Sequence, residues 1–189
     1  MKNKLTLVLL LIGFTTVLSS CDEADELTKV DVKSDFVATL DVSVTQGLSK
    51  ESAASKAIAP TSYDWSSTAT IDLSSNSDLQ NNLDKIEKIV INSLSYEIIN
   101  YSSDASISMS DSSIDIGGTL ITLDDANLED ADDNNTIFTI DDAAKLAAIV
   151  NALKTDNSVT ITGSGKVDGA PVLFGIKITM DTTITIDVI

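Results

Sequence analysis

Hydrophobic and polar side chains alternate over several long stretches of the chain. In residues 30–45, the even positions are mostly hydrophobic, with Val32, Phe36 and Leu40 among them, and the odd positions are mostly polar. Successive side chains of an extended strand point to opposite faces, so this pattern predicts a β-strand with one face buried and one in water. The same alternation, or a short apolar run, predicts further strands at 68–73, 88–102, 136–140, 158–167 and from 172 onward.

Residues 105–123 contain two or three short alternating segments around Gly117 and Gly118. A Gly-Gly pair between two such segments is typical of a β-hairpin turn. Asp168 and Gly169 form a second turn signal, between the strands at 158–167 and from 172 onward. The chain therefore has the turn spacing of an antiparallel β protein.

Two segments have the spacing of a helix instead. In residues 77–86 one helical face is hydrophobic, and Ser77 with Gln80 has the form of a capping box. That face comprises Leu79, Leu83 and Ile86. Residues 141–154 form the clearest helix, with Asp141 and Asp142 at its positive end and Lys154 in its last turn. Its hydrophobic stripe comprises Leu146, Ile149, Val150 and Leu153.

These elements predict a mainly β fold: a single antiparallel β-sandwich, Ig-like or an open barrel, with about eight strands and two short helices. The domain is predicted to span residues 29–189. Residues 46–67 lose the alternation and are rich in Ser and Ala, so they are predicted to form a long loop. Loops of this length are functional or disordered more often than short ones.

The first twenty residues have the features of a secretory signal peptide. Lys2 and Lys4 give a positive start, and residues 5–18 are almost entirely apolar. Fourteen helical residues rise only about 21 Å, whereas the hydrocarbon core of a bilayer is about 30 Å thick. Residues 1–20 are therefore predicted to be a signal peptide rather than a membrane span.

The only cysteine, Cys21, follows this segment directly, within the sequence LSSC. This resembles the lipobox of bacterial lipoproteins, in which an aliphatic residue and two small residues precede the cysteine. The resemblance implies that the bond between Ser20 and Cys21 is cleaved and that the sulfur of Cys21 carries a diacylglycerol. It also implies that the amino group of Cys21, which the cleavage frees, is acylated, and palmitate is the expected fatty acid. The membrane is then a partner through the lipid anchor. The other interpretation is an ordinary secretory signal followed by a free cysteine.

Four carboxylates follow Cys21 within five positions. Residues 21–28 are predicted to be the lipidated cysteine and an acidic tether, since a run of like charge favours a solvated, extended chain. The tract also resembles the acidic signal of surface lipoproteins in the Bacteroidota, whereas in enteric bacteria an aspartate after the cysteine tends to retain the protein at the inner membrane. We expect the outer membrane, and the sequence leaves the leaflet open.

The net charge of −17 and the absence of histidine and arginine exclude several function classes. Nucleic-acid binding depends on cationic neutralisation of phosphates, so no nucleic-acid partner is expected. Without histidine, the chain lacks the base of a Ser–His–Asp triad or a Cys–His pair and the ligand of a His-based zinc site. We therefore expect no enzymatic activity and no cofactor apart from the covalent lipid.

The acidic segment 124–135 is the one candidate metal site. Carboxylate and carbonyl oxygens are the ligands that calcium prefers. The possible ligands are Asp124, Asp125, Asn127, Glu129, Asp130, Asp132 and Asp133. The EF-hand order fails, because no glycine follows and no glutamate closes the loop, so a solvated loop is the preferred interpretation.

Two further motifs admit a functional and a structural interpretation. Tyr63 and Trp65, at the end of the predicted loop, would stack on a sugar or a partner if exposed, or close the edge of the sandwich if buried. The sequence GSGK at 163–166 resembles part of a phosphate-binding loop, but it lies within a strand pattern and lacks the other required residues. It is interpreted as a strand whose glycines avoid a clash or form a bulge.

The sequence thus predicts a non-enzymatic cell-envelope lipoprotein that displays an acidic β-sandwich and has a binding or structural role. Its partner would be a protein or a glycan. A calcium-dependent adhesion or glycan-binding module is the first alternative, and a hydrolase that uses a pair of carboxylates is the second.

Overall fold

The computed structural model describes residues 28–45 and 62–188. Within them, β-strands form two antiparallel sheets that enclose a common hydrophobic core. The first sheet contains, in spatial order, β1 (Lys29–Val44), β9 (Val172–Asp187), β3 (Ile86–Ser102) and β7 (Ile137–Thr139). The second contains, in spatial order, β2 (Tyr63–Asp72), β8 (Ser158–Val167), β4 (Ser108–Ile116) and β5 (Thr119–Thr122), and β4 also pairs with β6 (Ala126–Asn127). The predicted antiparallel sandwich is confirmed.

The alternation in the sequence corresponds to burial in the structure. In β1 the hydrophobic even positions from Val32 to Val44 are buried, and most odd positions are exposed or half-buried. The corresponding residues of β9 run through the centre of the first sheet, where Ile176, Ile178 and Met180 have no exposed surface. Burying a side chain of this size stabilises the fold by about 1.5–3 kcal/mol. The hydrophobic core thus accounts for the sandwich in a chain that has only one cysteine.

The helix α2 (Ala143–Asp156) covers one side of the sandwich and confirms the helix predicted at 141–154. Its start is capped by the carboxylate of Asp142, which accepts hydrogen bonds from the backbone N–H groups of Ala144 and Lys145 at 3.0 and 3.1 Å. Ile149 and Leu153 are fully buried, with the other two residues of the predicted stripe packed beside them. The helix contacts β3, β5 and β8, so it joins both sheets.

The helix predicted at 77–86 is wrong. Residues 77–81 form a hydrogen-bonded turn, which lies between two 3-10 turns at Leu73–Ser75 and Leu83–Lys85. Side chains compete with the helical pattern here, because Asp72 accepts from the N–H of Ser74 at 2.8 Å and Asn76 accepts from that of Asp78 at 2.8 Å. The predicted anchor Leu79 is nevertheless fully buried.

The second helix lies instead in the acidic segment, which was predicted to be a loop. The helix α1 (Leu128–Asp133) begins after Asn127, whose side chain accepts from the N–H of Asp130 at 3.0 Å. Leu128 and Ala131 are buried, so one face of this short acidic helix packs against the sandwich. Packing of these two residues outweighs the low helix propensity of the aspartates around them.

The predicted C-terminal boundary of the loop 46–67 is wrong, because β2 already begins at Tyr63. Residues 63–67 pair in full register with β8, with Trp65 opposite Gly165. The serines among them weakened the sequence pattern, but pairing with the neighbouring strand holds them extended. Residues 46–61 lie outside the described residues, as do residues 1–27 and therefore the predicted signal peptide, Cys21 and the acidic tract.

The first sheet has two distinct ends. We call the end marked by Lys29, Ile86 and Asp187 the near end, since β1 begins there. The N–H of Val188 donates to the backbone oxygen of Thr28 at 2.9 Å at this end. The far end is marked by Val44, which is opposite Val172. A strand of 16 residues separates the two ends by about 50 Å.

Candidate functional site

Two loops from distant parts of the sequence meet at the far end. Residues 103–107 connect β3 to β4, and residues 168–171 connect β8 to β9. The hydroxyl of Ser103 donates to the backbone oxygen of Pro171 at 2.9 Å. The N–H of Ser108 donates to the carboxylate of Asp168 at 2.8 Å, and the N–H of Asp168 donates back to the oxygen of Ser108 at 3.1 Å. These bonds hold the loops against each other.

A cavity of about 370 Å³ opens at the far end, between these loops and the end of β1. Its lining combines hydroxyls, the carboxylate of Asp104 and apolar side chains, among them Leu173, which is 51% exposed. Such a lining offers hydrogen bonds and apolar contact to a ligand. No pattern in the sequence predicts this cavity, because its residues come from three separate segments that only the strand pairing brings together.

A second cleft, of about 210 Å³, lies at the side of the sandwich between β1 and β2. Asp35 and Asp72 both line it, and a hydrolase that uses two carboxylates likewise needs both on one cleft. Hydrogen bonds from Ser74 lower the pKa of Asp72 below its ordinary value of 3.8. A general acid needs a raised pKa, so Asp72 is unsuited to that role.

Trp65 is buried, which excludes the interpretation that it is an exposed stacking platform. The side chain is 5% exposed and packs edge to face on Phe174, with ring centroids 5.8 Å apart. Tyr63 is half-buried against the same core. The two residues occupy alternate positions of β2, so both point toward the interior. The structural interpretation, in which Trp65 closes the sandwich, is confirmed.

The acidic segment 124–135 uses several of its polar groups in the fold. The N–H of Asp124 donates to the hydroxyl of Tyr96 at 3.0 Å, and the carboxylate of Asp132 accepts from the N–H of Tyr101 at 2.8 Å. In residues 28–45 and 62–188, no three Asp, Glu, Cys or His side chains converge as they would around a metal ion. The segment is thus an element of the sandwich that packs on β3.

The GSGK segment lies inside β8, in agreement with its structural interpretation. A Cβ atom at Gly163 would approach Leu40 Cδ1 to 2.6 Å, and one at Gly165 would approach the hydroxyl of Ser112 to 2.0 Å. The pairing of β4 with β8 is also irregular beside Ser112, between Ser110 and Ser113. The glycines therefore make room for the core and for a bulge in β4.

None of the helices in the described residues has the length and apolar character needed to cross a bilayer. The predicted lipid attachment at Cys21 and the cleavage after Ser20 lie outside those residues. No protein-family model, curated protein or solved structure matches this chain.

Proposed function

We propose that this protein is a non-enzymatic cell-envelope lipoprotein, anchored by a lipid on Cys21, and that its β-sandwich presents the far end to a protein or glycan partner. The observation that carries the proposal is the sequence LSSC, placed directly after an apolar run of signal-peptide length. We place the protein at the outer membrane, in either leaflet.

The position of the sandwich relative to Cys21 fits a lipid anchor. The first strand begins at Lys29, eight positions after the cysteine, so the connecting chain reaches at most about 28 Å. Lys29 itself pairs with Glu87 across the near end, with its Nζ atom 3.0 Å from the carboxylate. Anchored in this way, the near end stays close to the membrane and the far end extends outward.

The charge of the protein makes the acyl chains the source of membrane affinity. The net charge is −17, and removal of residues 1–20 takes away Lys2 and Lys4 but no acid. Anionic lipid headgroups would repel such a protein. Stable anchoring then needs two or more acyl chains, because a single chain binds a bilayer only marginally.

The far end is the part of the sandwich best suited to a partner. It has the larger of the two clefts described above, and it places Leu173 in water beside hydroxyl and carboxylate groups. A patch that combines apolar and hydrogen-bonding groups resembles the usual composition of protein and glycan interfaces. Its negative surroundings favour a partner that is neutral or positively charged.

Metabolic labelling with an alkyne fatty acid tests the anchor. The full chain should carry the label, Cys21→Ala should lose it, and the matched variant Ser20→Ala, which keeps a small residue before the cysteine, should retain it. A label that persists in Cys21→Ala, or an unlabelled natural chain, would show that the anchor is wrong.

A photoreactive amino acid tests the orientation and the binding end. Leu173 at the far end and Val188 at the near end are similarly exposed, 51% and 45%, so each controls for the other. Crosslinking in intact cells should give protein or glycan adducts from position 173 and lipid adducts, or none, from position 188. Protein adducts from position 188 alone would contradict the proposal.

A further inference from the structure

The cavity at the far end has an apolar centre with hydroxyls on both sides. Leu173 of β9 is paired with Ser43 of β1 on one side and with Ser102 of β3 on the other, and all three residues line the cavity. Leu173 faces outward from the first sheet, since its neighbours Val172 and Phe174 are buried in the core. The leucine side chain therefore has a serine about one strand spacing, or about 5 Å, away on each side.

The polar groups around Leu173 are available to a ligand. Among residues 28–45 and 62–188, the side chains of Ser43, Ser102 and Asp104 have no hydrogen-bond partner, and all three residues are exposed. Ser103 is used differently, because its hydroxyl donates to the backbone oxygen of Pro171 and so fixes the shape of the cavity. The cavity thus combines a loop held in place with two hydroxyls and one carboxylate that the fold does not use.

These groups define the chemistry of a ligand. A carboxylate only accepts hydrogen bonds, so the ligand must donate one to Asp104, whereas the serine hydroxyls can both donate and accept. A pyranose sugar meets these needs together, because it has an apolar face of C–H groups for Leu173 and a rim of hydroxyls for the polar groups. The Cβ atoms of the two serines are about 10 Å apart, or two strand spacings, which accommodates one ring with hydrogen bonds at both edges.

Other classes of ligand fit the cavity less well. An anionic ligand would be repelled by Asp104 and by a protein of net charge −17, and no lysine is among the lining residues. A purely apolar ligand would remove the hydroxyls and the carboxylate from water without giving them partners. A lysine side chain of a protein partner would satisfy Asp104 and Leu173, but its ammonium group only donates and cannot accept from the serine hydroxyls. The lining therefore favours a neutral sugar.

The surface beside the cavity extends the same pattern to a second sugar. Gly175, two positions beyond Leu173 on β9, is opposite Asp41 of β1 and Ile99 of β3. A Cβ atom at Gly175 would lie 3.0 Å from Cγ1 of Ile99, so the isoleucine lies close to the glycine and continues the apolar surface. The exposed carboxylate of Asp41 stands at the other side as a hydrogen-bond acceptor.

We propose that the far end binds a neutral oligosaccharide of pyranose sugars with equatorial hydroxyls. One ring packs on Leu173 between Ser43 and Ser102 and donates a hydrogen bond to Asp104, and the next ring lies over Gly175. This inference rests on the proposed function only in taking the far end as the binding end, and it does not depend on the lipid at Cys21.

Titration with cellotetraose and xylotetraose tests the proposal, because both are neutral chains of pyranose sugars with equatorial hydroxyls. The full chain is purified in a zwitterionic detergent that has no sugar group, and saturation-transfer NMR measures binding through the sugar protons. We expect saturable binding of at least one oligosaccharide that does not change with salt concentration, since no ion pair forms. Tetralysine, a cationic peptide, is the competing probe.

Two substitutions locate the site, each with a matched control. Leu173→Asp should abolish sugar binding, whereas Leu120→Asp should not, since Leu120 is a similarly exposed leucine, 60% against 51%, on the second sheet. Asp104→Ala should weaken binding about tenfold through the loss of a hydrogen bond to a charged group, whereas Asp156→Ala, an exposed position at the end of α2, should leave it unchanged. Circular dichroism should show the same fold in all four variants.

The proposal would be overturned if the natural chain bound neither oligosaccharide, or if the two leucine variants lost binding equally. Binding of tetralysine in place of the sugars, lost in high salt and in Asp104→Ala, would identify a cationic protein segment as the ligand and would overturn it as well. With either result, a fatty-acid label on Cys21 and protein adducts from position 173 would still support the proposed function, so the two failures can be distinguished.

Discussion

Trp65 and Phe174 join the two sheets of the sandwich. Their rings meet edge to face at 81°, with centroids 5.8 Å apart, and they belong to β2 and β9. The indole nitrogen of Trp65 is buried and has no hydrogen-bond partner among residues 28–45 and 62–188. The contact thus combines favourable ring packing with an unpaired donor, which is unfavourable when it is buried.

Two substitutions of Trp65 should separate the stabilisation by ring packing from the cost of burying an unpaired N–H group. Trp65→Ala should lower the free energy of unfolding by about 3–5 kcal/mol through the cavity it leaves. Trp65→Phe should cost clearly less, because it keeps an aromatic ring and removes an N–H group whose burial costs about 1–3 kcal/mol. Urea unfolding followed by circular dichroism measures both values. Equal losses in the two variants would contradict this expectation.

Gly165→Ala should strongly destabilise the sandwich. The added Cβ would lie 2.0 Å from the hydroxyl and 2.8 Å from the Cα of Ser112, so part of the clash is with backbone. Overpacking of this kind costs about 1–3 kcal/mol. The control is Ser164→Ala, an exposed neighbour on the same strand, which should unfold at nearly the natural urea midpoint. A stable Gly165→Ala variant would show that β4 can shift away.

Tyr96 should make stability sensitive to alkaline pH. Burial raises the pKa of its phenol above the ordinary value of 10.0, although the hydrogen bond from the N–H of Asp124 acts in the opposite direction. The folded state therefore holds this proton more tightly than the unfolded state does. The resulting stabilisation is complete below pH 10.0 and is lost as the pH rises through the raised pKa.

The variant Tyr96→Phe isolates this effect. It keeps the stacking on Phe138, where the rings are 4.7 Å apart, but loses the hydroxyl that accepts from Asp124. We expect a loss of about 0.5–1.5 kcal/mol at neutral pH. The difference from the natural chain should shrink as the pH rises above 10. A constant difference across that range would contradict the pKa direction.

Calcium should leave the melting temperature unchanged. Four of the carboxylates of segment 124–135 are distributed along α1, and that of Asp132 already accepts from the backbone N–H of Tyr101. A ligand at a hundred times its dissociation constant adds about 2.7 kcal/mol of stability, which a thermal melt in calcium against chelator detects readily. A clear upward shift would instead favour the first alternative, a calcium-dependent adhesion or glycan-binding module.

The sequence predicted the strands well and the loops poorly. The strand over 158–167 and the helix near 141–154 can be predicted from the sequence, because in both the spacing of buried residues matches the period of the element. The helix at 77–86 failed because its hydrophobic spacing fits an irregular turn that buries Leu79 equally well. The start of β2 was missed because Ser66 and Ser67 resemble a loop until a neighbouring strand pairs with them.

The candidate sites also differ in how far a local sequence pattern predicts them. The sequence marks Trp65 and Tyr63 as two aromatic residues close together but leaves open which way they face, and only the pairing of β2 with β8 decides their orientation. The far-end cavity had no sequence signal at all, because it is lined from three separated segments. The lipid anchor, in contrast, is a prediction from a short contiguous motif and does not depend on the fold.

By itself, the sequence determined which faces of the strands are buried, since alternation is a local property of the chain, and it supplied the motif behind the predicted anchor at Cys21. Only the tertiary structure decided which strands are neighbours, and with them the cavity between distant loops and the cleft between β1 and β2. Those features depend on contacts between residues far apart in the chain, and such contacts leave no periodic trace in a single sequence.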